Sequence, residues 1–318
     1  MNREMEDDIN DPISHGSARE SEDAEHQPAS DGTPDQSLRV EFDHIGLAFP
    51  HPTDTWPLLA GALGGRFVAS GRGPGYGWSQ MAFANGFKIE GIHPEESSDG
   101  SEHAFVQTFI DQHGAGPHHL TFSANDLELA MERLQAIGIT PLSLDHDDEE
   151  FAWSELLIGP VEGHGILVQV LGDLDNDPLP PADVPEGFPE RDIDAPVASL
   201  SRVVHAVADL DGAVQLFRDG LGGHVVSSGC AVDGNHWVEL AWLGGGRLRL
   251  LEGVNADIAA WIGHRRGRIR HLFFNFDEPE YIAGAEMVSQ GRWVVDQNNV
   301  LGTRLVLSST ARLALDTD

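Results

Sequence analysis

From residue 39 onward, apolar residues recur at two spacings. Runs with every second position apolar predict strands, and stretches spaced three and four apart predict helices. "RVEFDHIGLAF" reads as a strand, with Ile45, Leu47 and Phe49 on one face and His44, Gly46 and Ala48 on the other. "TDTWPLLAGALGG" reads as a short helix stopped by glycine. "RFVASG", "GWSQMAFAN" and "GFKIEGIHP" read as short strands with turn residues between them. The order then recurs. "HHLTFSA" is a strand, and "NDLELAMERLQAIG" is a helix with Leu127, Ala130, Met131, Leu134 and Ile137 on one face. "ITPLSL", "AWSELLIGP" and "GILVQVLG" follow as strands. Residues 39–172 thus carry a β-α-β-β-β unit twice.

Residues 199–310 run the pattern again, from "SRVVHAVADL" through "DLDGAVQLFRDGLGG", "HVVSSG", "HWVELAWLG" and "GRLRLLEG", with "IRHLFFNF" opening a further unit. Leu63–Gly71 and Leu221–Gly229 share six of nine residues at an offset of 158. A repeat therefore organises the chain. The expected class is α+β. Tandem paired βαβββ modules form two domains, each with a concave mixed sheet and helices on its outer face.

Composition adds boundaries. Residues 1–38 are acidic, polar and poor in large apolar side chains, which predicts a disordered tail. Residues 173–198 hold six prolines and eight acids, the composition of a stiff extended linker, and residues 311–318 read as a second tail. The formal net charge of −33 argues against nucleic acid as a partner. No apolar run is long enough for a bilayer, so no membrane partner is expected. The single cysteine, Cys230, excludes an intrachain disulfide and a cysteine-based zinc cluster. These features predict a soluble cytoplasmic protein.

Strand parity selects the candidate chemistry. His44 lies on the polar face of its strand, and His119 on that of "HHLTFSA" with Thr121 and Ser123. His118, one residue earlier, is expected to point into the helix layer or to sit at the ragged start of the strand, as scaffold. The last strand of each unit adds one more ligand type on the same side, Glu90 in "FKIEGI" and Gln169 in "ILVQVL". The spacings match, 75 residues from His44 to His119 and 79 from Glu90 to Gln169. Two imidazoles, a carboxylate and an amide oxygen suit a divalent transition metal (zinc, cobalt, nickel, manganese or iron) with positions open to water or substrate.

The repeated βαβββ pattern, together with "DHIGLAF", "FKIEGIHP", "GPHHLTFSANDLELAMERLQAIGI" and "GILVQV", resembles the vicinal oxygen chelate superfamily, most closely its glyoxalase and methylmalonyl-CoA epimerase branch. The resemblance implies a cation in a U-shaped cleft, held by His44, Glu90, His119 and Gln169. It implies an isomerase, epimerase or lyase acting on a small oxo-acid or an acyl-thioester such as a CoA thioester, through an enediolate. The superfamily's last strand usually carries glutamate. Here it carries Gln169, with Glu90 in the pseudo-symmetric place, so Glu90 is the candidate base. Two other readings stay open, a non-catalytic small-molecule binder of the bleomycin-resistance kind and an iron(II) dioxygenase using His44, His119 and Glu90.

The aligned places in the second domain are His205, Arg249, His271 and about Val306, a set that would repel a cation. "GHRRGRIRH" concentrates four arginines, read as a solvated strand edge paired with surface acids, with the phosphates of a CoA-like substrate as the alternative.

Overall fold

The computed structural model describes residues 37–309 except 74, 96–104, 148–151, 173–183, 191, 193, 232–233 and 297–300. The N-terminal tail up to residue 36, the C-terminal tail and most of the first half of the linker lie outside the described residues.

Two eight-stranded mixed sheets carry the chain. The first contains β1 (Val40–Ala48), β2 (Arg66–Gly73), β3 (Tyr76–Ala82), β4 (Lys88–Pro94), β5 (Gly116–Ala124), β6 (Leu142–Asp147), β7 (Ala152–Ile158) and β8 (Leu167–Leu171). Their spatial order is β2-β3-β4-β1-β5-β8-β7-β6. β1 and β5 meet antiparallel at the centre, and each pairs in parallel with the last strand of its own unit, β4 and β8. The four predicted ligand positions therefore fall on four adjacent central strands.

The second sheet repeats this order with β9 (Ser199–Val207), β10 (His224–Cys230), β11 (His236–Ala241), β12 (Arg247–Glu252), β13 (Gly267–Asn275), β14 (Ala285–Ser289), β15 (Arg292–Val295) and β16 (Arg304–Ser308). The two paired-module domains expected from the repeat are present.

Among the described residues four short α-helices accompany the sheets, α1 (Phe105–His113), α2 (Leu127–Ala136), α3 (Leu210–Val214) and α4 (Ala256–Ile262). α2 starts where the Asp126 side chain accepts from the Leu129 amide, 2.9 Å away. Gly138 follows at φ 84°, the left-handed conformation that ends the run. Ala130 and Leu134 are its buried positions. α3 continues into the wider turn Gln215–Gly220, and the fourth unit has only the short turn Pro279–Tyr281 where a helix was expected.

One core joins the domains. Ile45, Leu47, Leu120 and Phe122 of the first sheet share it with Leu200, Leu248, Leu272 and Phe274 of the second, and with Leu134 and Phe217 from the helical segments. Phe42 stacks on Phe122 at 4.7 Å between ring centres and meets Trp242 edge-on at 5.6 Å. Linker residue Phe188 packs against Trp56 and Phe67 of the first domain. The polar faces of both sheets turn away from this core.

His205 lies in the joint. It is fully buried and its Nε2 donates to the His164 carbonyl at 2.9 Å. Burial, opposed by that hydrogen bond, lowers its pKa to about 4. The unfolded chain then binds more protons than the folded one between pH 4 and 6.5. This contribution is intact above pH 6.5 and is lost as pH falls towards 4. It amounts to on the order of 3 kcal/mol. Urea titrations of His205→Gln are expected to fall less steeply over that window than wild type, with parallel curves as the contrary result.

Candidate metal centre

Strand pairing lines up Gln80, Glu90, Gly46 and His119 in one row across β3, β4, β1 and β5. The neighbouring row holds His44, Thr121 and Gln169. Residues directly opposite in a sheet point to one side, so the polar face gathers these groups.

Ligand atoms of His44, Glu90 and His119 all lie within 4.8 Å of one another. His44 Nε2 is 3.7 Å from Glu90 Oε2, and His119 Nε2 is 3.4 Å from Glu90 Oε1. Atoms that bind one cation at about 2.1 Å stand roughly 3.0–3.5 Å apart, so the trio fits a small divalent ion. A second observation agrees. His44 Nε2 is buried and has no hydrogen-bond partner, an orphaned donor set aimed at the trio. Both histidines are buried, while Glu90 is partly so.

The carboxylate is the electrostatic centre. Burial alone would raise the Glu90 pKa. The charges of His44 and His119, with hydrogen bonds from His119 and Gln80, pull it down to about 2. Gln80 Nε2 donates to Glu90 Oε2 at 3.0 Å.

Each histidine is held through its other nitrogen by its sequence neighbour, and two β-bulges make this possible. Pairing runs from Phe42↔Phe122 to His44↔Thr121, which leaves Asp43 as an extra residue in β1. It runs from Gly46↔His119 to Leu47↔Pro117, which leaves His118 as an extra residue in β5. Asp43 Oδ2 accepts from His44 Nδ1 at 2.6 Å, and Lys88 Nζ lies 2.7 Å from Asp43 Oδ1. Burial works against the charged Asp43, but His44 and Lys88 outweigh it and hold its pKa at about 2.

His118 is a correction to the strand-parity expectation. It does not enter the helix layer. Its Nδ1 is 2.9 Å from His119 Nδ1, and its ring packs on Phe109 and Phe105 of α1 at 4.7 and 5.8 Å. The two-residue period fails at a bulge, so adjacent side chains share a side. Burial, reinforced by the neighbouring His119, lowers the His118 pKa to about 3 and keeps the ring neutral.

Gly46 has its own reason. A Cβ there would stand 2.0 Å from His119 Cε1, so the imidazole lies across β1 only because that position has no side chain.

Gln169 is committed to its neighbours. Its Oε1 accepts from Thr121 Oγ1 at 2.8 Å and its Nε2 donates to Glu155 Oε2. Glu155, on β7, was not anticipated from the sequence. It is 6% exposed and lies on the same face. Alternation in "AWSELLIGP" puts Trp153, Glu155 and Leu157 together on one face. Tyr76 opens β3. Burial raises its pKa, and Glu90 and Glu155 add to that, to about 12. α1 was also unforeseen. Val106 packs with Ala48 and Ile92 beside Trp78, which places this helix over one end of the polar face.

Residues 43–152 match the model of the Glyoxalase/Bleomycin resistance protein/Dioxygenase superfamily. These residues belong to that superfamily. No curated protein sequence matches the chain. Among solved structures, a mutant of 4-hydroxymandelate synthase from Streptomyces coelicolor is 13% identical with a TM-score of 0.59, over 86% of this chain and 93% of that one. Methylmalonyl-CoA epimerase from Mycobacterium tuberculosis is 20% identical with a TM-score of 0.35, over 41% of this chain and 85% of that one. At 13% identity the first likeness speaks for the fold alone. No helix among the described residues is long and apolar enough to cross a membrane.

The second domain corrects one alignment. Its corresponding row is Glu239, Arg249, Val204 and His271. Arg249 therefore takes the place of Glu90, Glu239 that of Gln80, and Val204 that of Gly46. Arg202 stands where His44 stands, at the repeat offset of 158. His205 corresponds to Leu47, on the core side. Matching one histidine to another had shifted that strand by three residues.

Proposed function

We propose that the first domain is a divalent-metal-dependent enzyme that moves a proton next to a carbonyl, as an isomerase, epimerase or lyase. The convergence of His44, Glu90 and His119 within 4.8 Å carries this reading. These three would hold the cation, with positions left for two neighbouring substrate oxygens. Bound there, the cation would act as a Lewis acid that acidifies the adjacent C–H and stabilises an enediolate. A small oxo-acid or an acyl-thioester, including a CoA thioester, fits that chemistry.

The chain's own groups divide the remaining work. Glu90 would be committed to the cation as a ligand, which leaves the proton to another group. Glu155, held on the same face by Gln169, would serve as the base. In this reading Gln169 orients Glu155 through its amide nitrogen, while Thr121 occupies its oxygen. Glu155 would take the α-proton and return it to the same carbon or its neighbour. Tyr76 keeps its proton throughout the neutral range and so stays a hydrogen-bond donor to a developing oxyanion.

One observation favours a second reading. With Gln169 tied to Thr121, the set is two histidines and one carboxylate, which also suits iron(II) and an oxygen-dependent reaction. Metal analysis of the purified protein, followed by ¹H–²H exchange at the α-carbon of candidate 2-oxo acids and thioesters, tests the first reading. Oxygen uptake without such exchange would replace it with the second.

Asp43 and His118 would fix the ring orientation of the two histidines. With His119 ligating through Nε2, its Nδ1–H donates to the neutral His118. His118→Phe and Asp43→Asn are each expected to weaken metal affinity about ten- to a hundredfold. Competition with a chromophoric chelator measures this, and an unchanged affinity in both variants would remove the positioning role.

A further inference from the structure

We propose that the joint between the domains carries a binding site for a phosphate group, formed by His264, Arg265 and Arg268 of the second domain with His113 of the first. The site stands apart from the metal centre, and its test needs no turnover.

Three of the four residues belong to the arginine-rich stretch "GHRRGRIRH". α4 ends at Ile262, the chain turns at Gly263 (φ 63°), and the Arg265 amide donates back to the Ile262 carbonyl at 3.3 Å. Arg268 follows at the start of β13. That start lies against the first domain. The Gly267 backbone passes close to His164 and Gly165, and Gly302, just before β16, passes close to Ala115 and Gly116. α4 joins β12 to β13 as α1 joins β4 to β5, and α1 ends at His113, shortly before β5 begins at Gly116. Both helices thus end beside the joint, and His264, Arg265 and Arg268 all act electrostatically on His113.

Surface acids are the partners the sequence leads one to expect for these arginines. Among the described residues no carboxylate pairs with Arg265 or Arg268. Burial alone lowers the Arg265 pKa, and burial followed by Arg265 lowers that of Arg268, with no acid opposing either. In a chain of net charge −33 this gap in counter-ions is local. Partly buried like charges without an anion are costly, and a ligand that supplies one removes that cost. The Arg268 guanidinium lies 4.0 Å over the Trp261 ring, which fixes its plane before any ligand arrives. Burial and then Arg265 lower the His113 pKa, and Arg268 and His264 add to this against a backbone hydrogen bond at Gln112. The positive field that disfavours protonation of His113 is the field an anion would meet. A phosphate group carries about two negative charges and three acceptor oxygens, which matches two guanidinium forks and an imidazole better than a single carboxylate does.

Two sources can present that group. One is a free inorganic anion. The other is the phosphate end of a long substrate, since ring contacts of 5.2, 4.7 and 5.0 Å lead from His119 through His118 and Phe109 to His113. Only this second source rests on the function proposed above.

Titration calorimetry on the metal-free full-length protein at low salt, with inorganic pyrophosphate and coenzyme A as separate probes, tests the site. At least one is expected to bind with a Kd below about 1 mM. Arg265→Gln and Arg268→Gln are each expected to weaken it about tenfold or more, with Arg66→Gln, exposed on β2, as the unaffected control. Arg268 packs on Trp261, so Arg265→Gln carries the test if Arg268→Gln fails to fold. Proton NMR of His113 should show its pKa rising when the probe is bound, and this rise should be lost in Arg265→Gln. Coenzyme A binding more tightly than pyrophosphate assigns the site to a long phosphorylated substrate, and comparable affinities assign it to the free anion. No binding of either up to about 10 mM, or full affinity in Arg265→Gln, would overturn the proposal.

Discussion

Replacing His44, Glu90 or His119 by alanine is expected to release the divalent cation from the first domain, weakening its binding by more than the about hundredfold typical of losing an outer partner. The three are equivalent in this respect because their ligand atoms form a single cluster within 4.8 Å. Each loss leaves two donors and an opening to water. Glu90→Ala carries a further effect. It removes a carboxylate whose pKa is held at about 2, so the stability this group contributes above its ordinary value of 4.5 is lost with it. Elemental analysis after gel filtration, with circular dichroism to establish folding, reads the result. A variant that keeps stoichiometric metal removes its residue from the ligand set. Gln169→Ala is the informative comparison, because its oxygen is hydrogen-bonded to Thr121 and it should keep the metal.

Glu155→Gln is the second large effect. Its amide can still meet Gln169, so fold and metal content should stay near wild type. Solvent exchange at the substrate α-carbon should fall about 10²- to 10⁴-fold, the usual contribution of a positioned general base. This separates base from ligand, since the ligand variants lose metal and exchange together. If exchange survives in Glu155→Gln and disappears in a metal-retaining variant of Tyr76, the proton passes through the tyrosine instead.

The sequence exposed more of the centre than of its surroundings. His44, Glu90 and His119 are legible because a strand alternates strictly, and a polar residue within an apolar strand must face the other side. Asp43 and His118 were not legible in the same way. A bulge adds one residue and breaks the alternation, and nothing in "DH" or "HH" marks it. Parity left His118 either in the helix layer or at the ragged start of its strand, and it lies at an irregularity near that start, against His119. Glu155 and α1 were legible but unread, since "AWSELLIGP" alternates and Val106, Phe109 and Ile110 have helical spacing. The second domain shows a different limit. A shared histidine attracts an alignment, whereas the offset of 158 from the best-matching repeat segment leads directly from His44 to Arg202.

Gly46 and Val204 occupy the same point of two homologous sheets, and the difference between them bears on how the domains diverged. In the first domain an imidazole rests where a Cβ would stand, 2.0 Å from its Cε1. In the second a buried valine fills that space, so His271 cannot take the corresponding pose even if every charged neighbour were restored. A metal centre there would need a loss of volume before any gain of ligands. Changing Arg202 to histidine and Arg249 to glutamate would therefore leave the second domain without a cation until Val204 also became glycine.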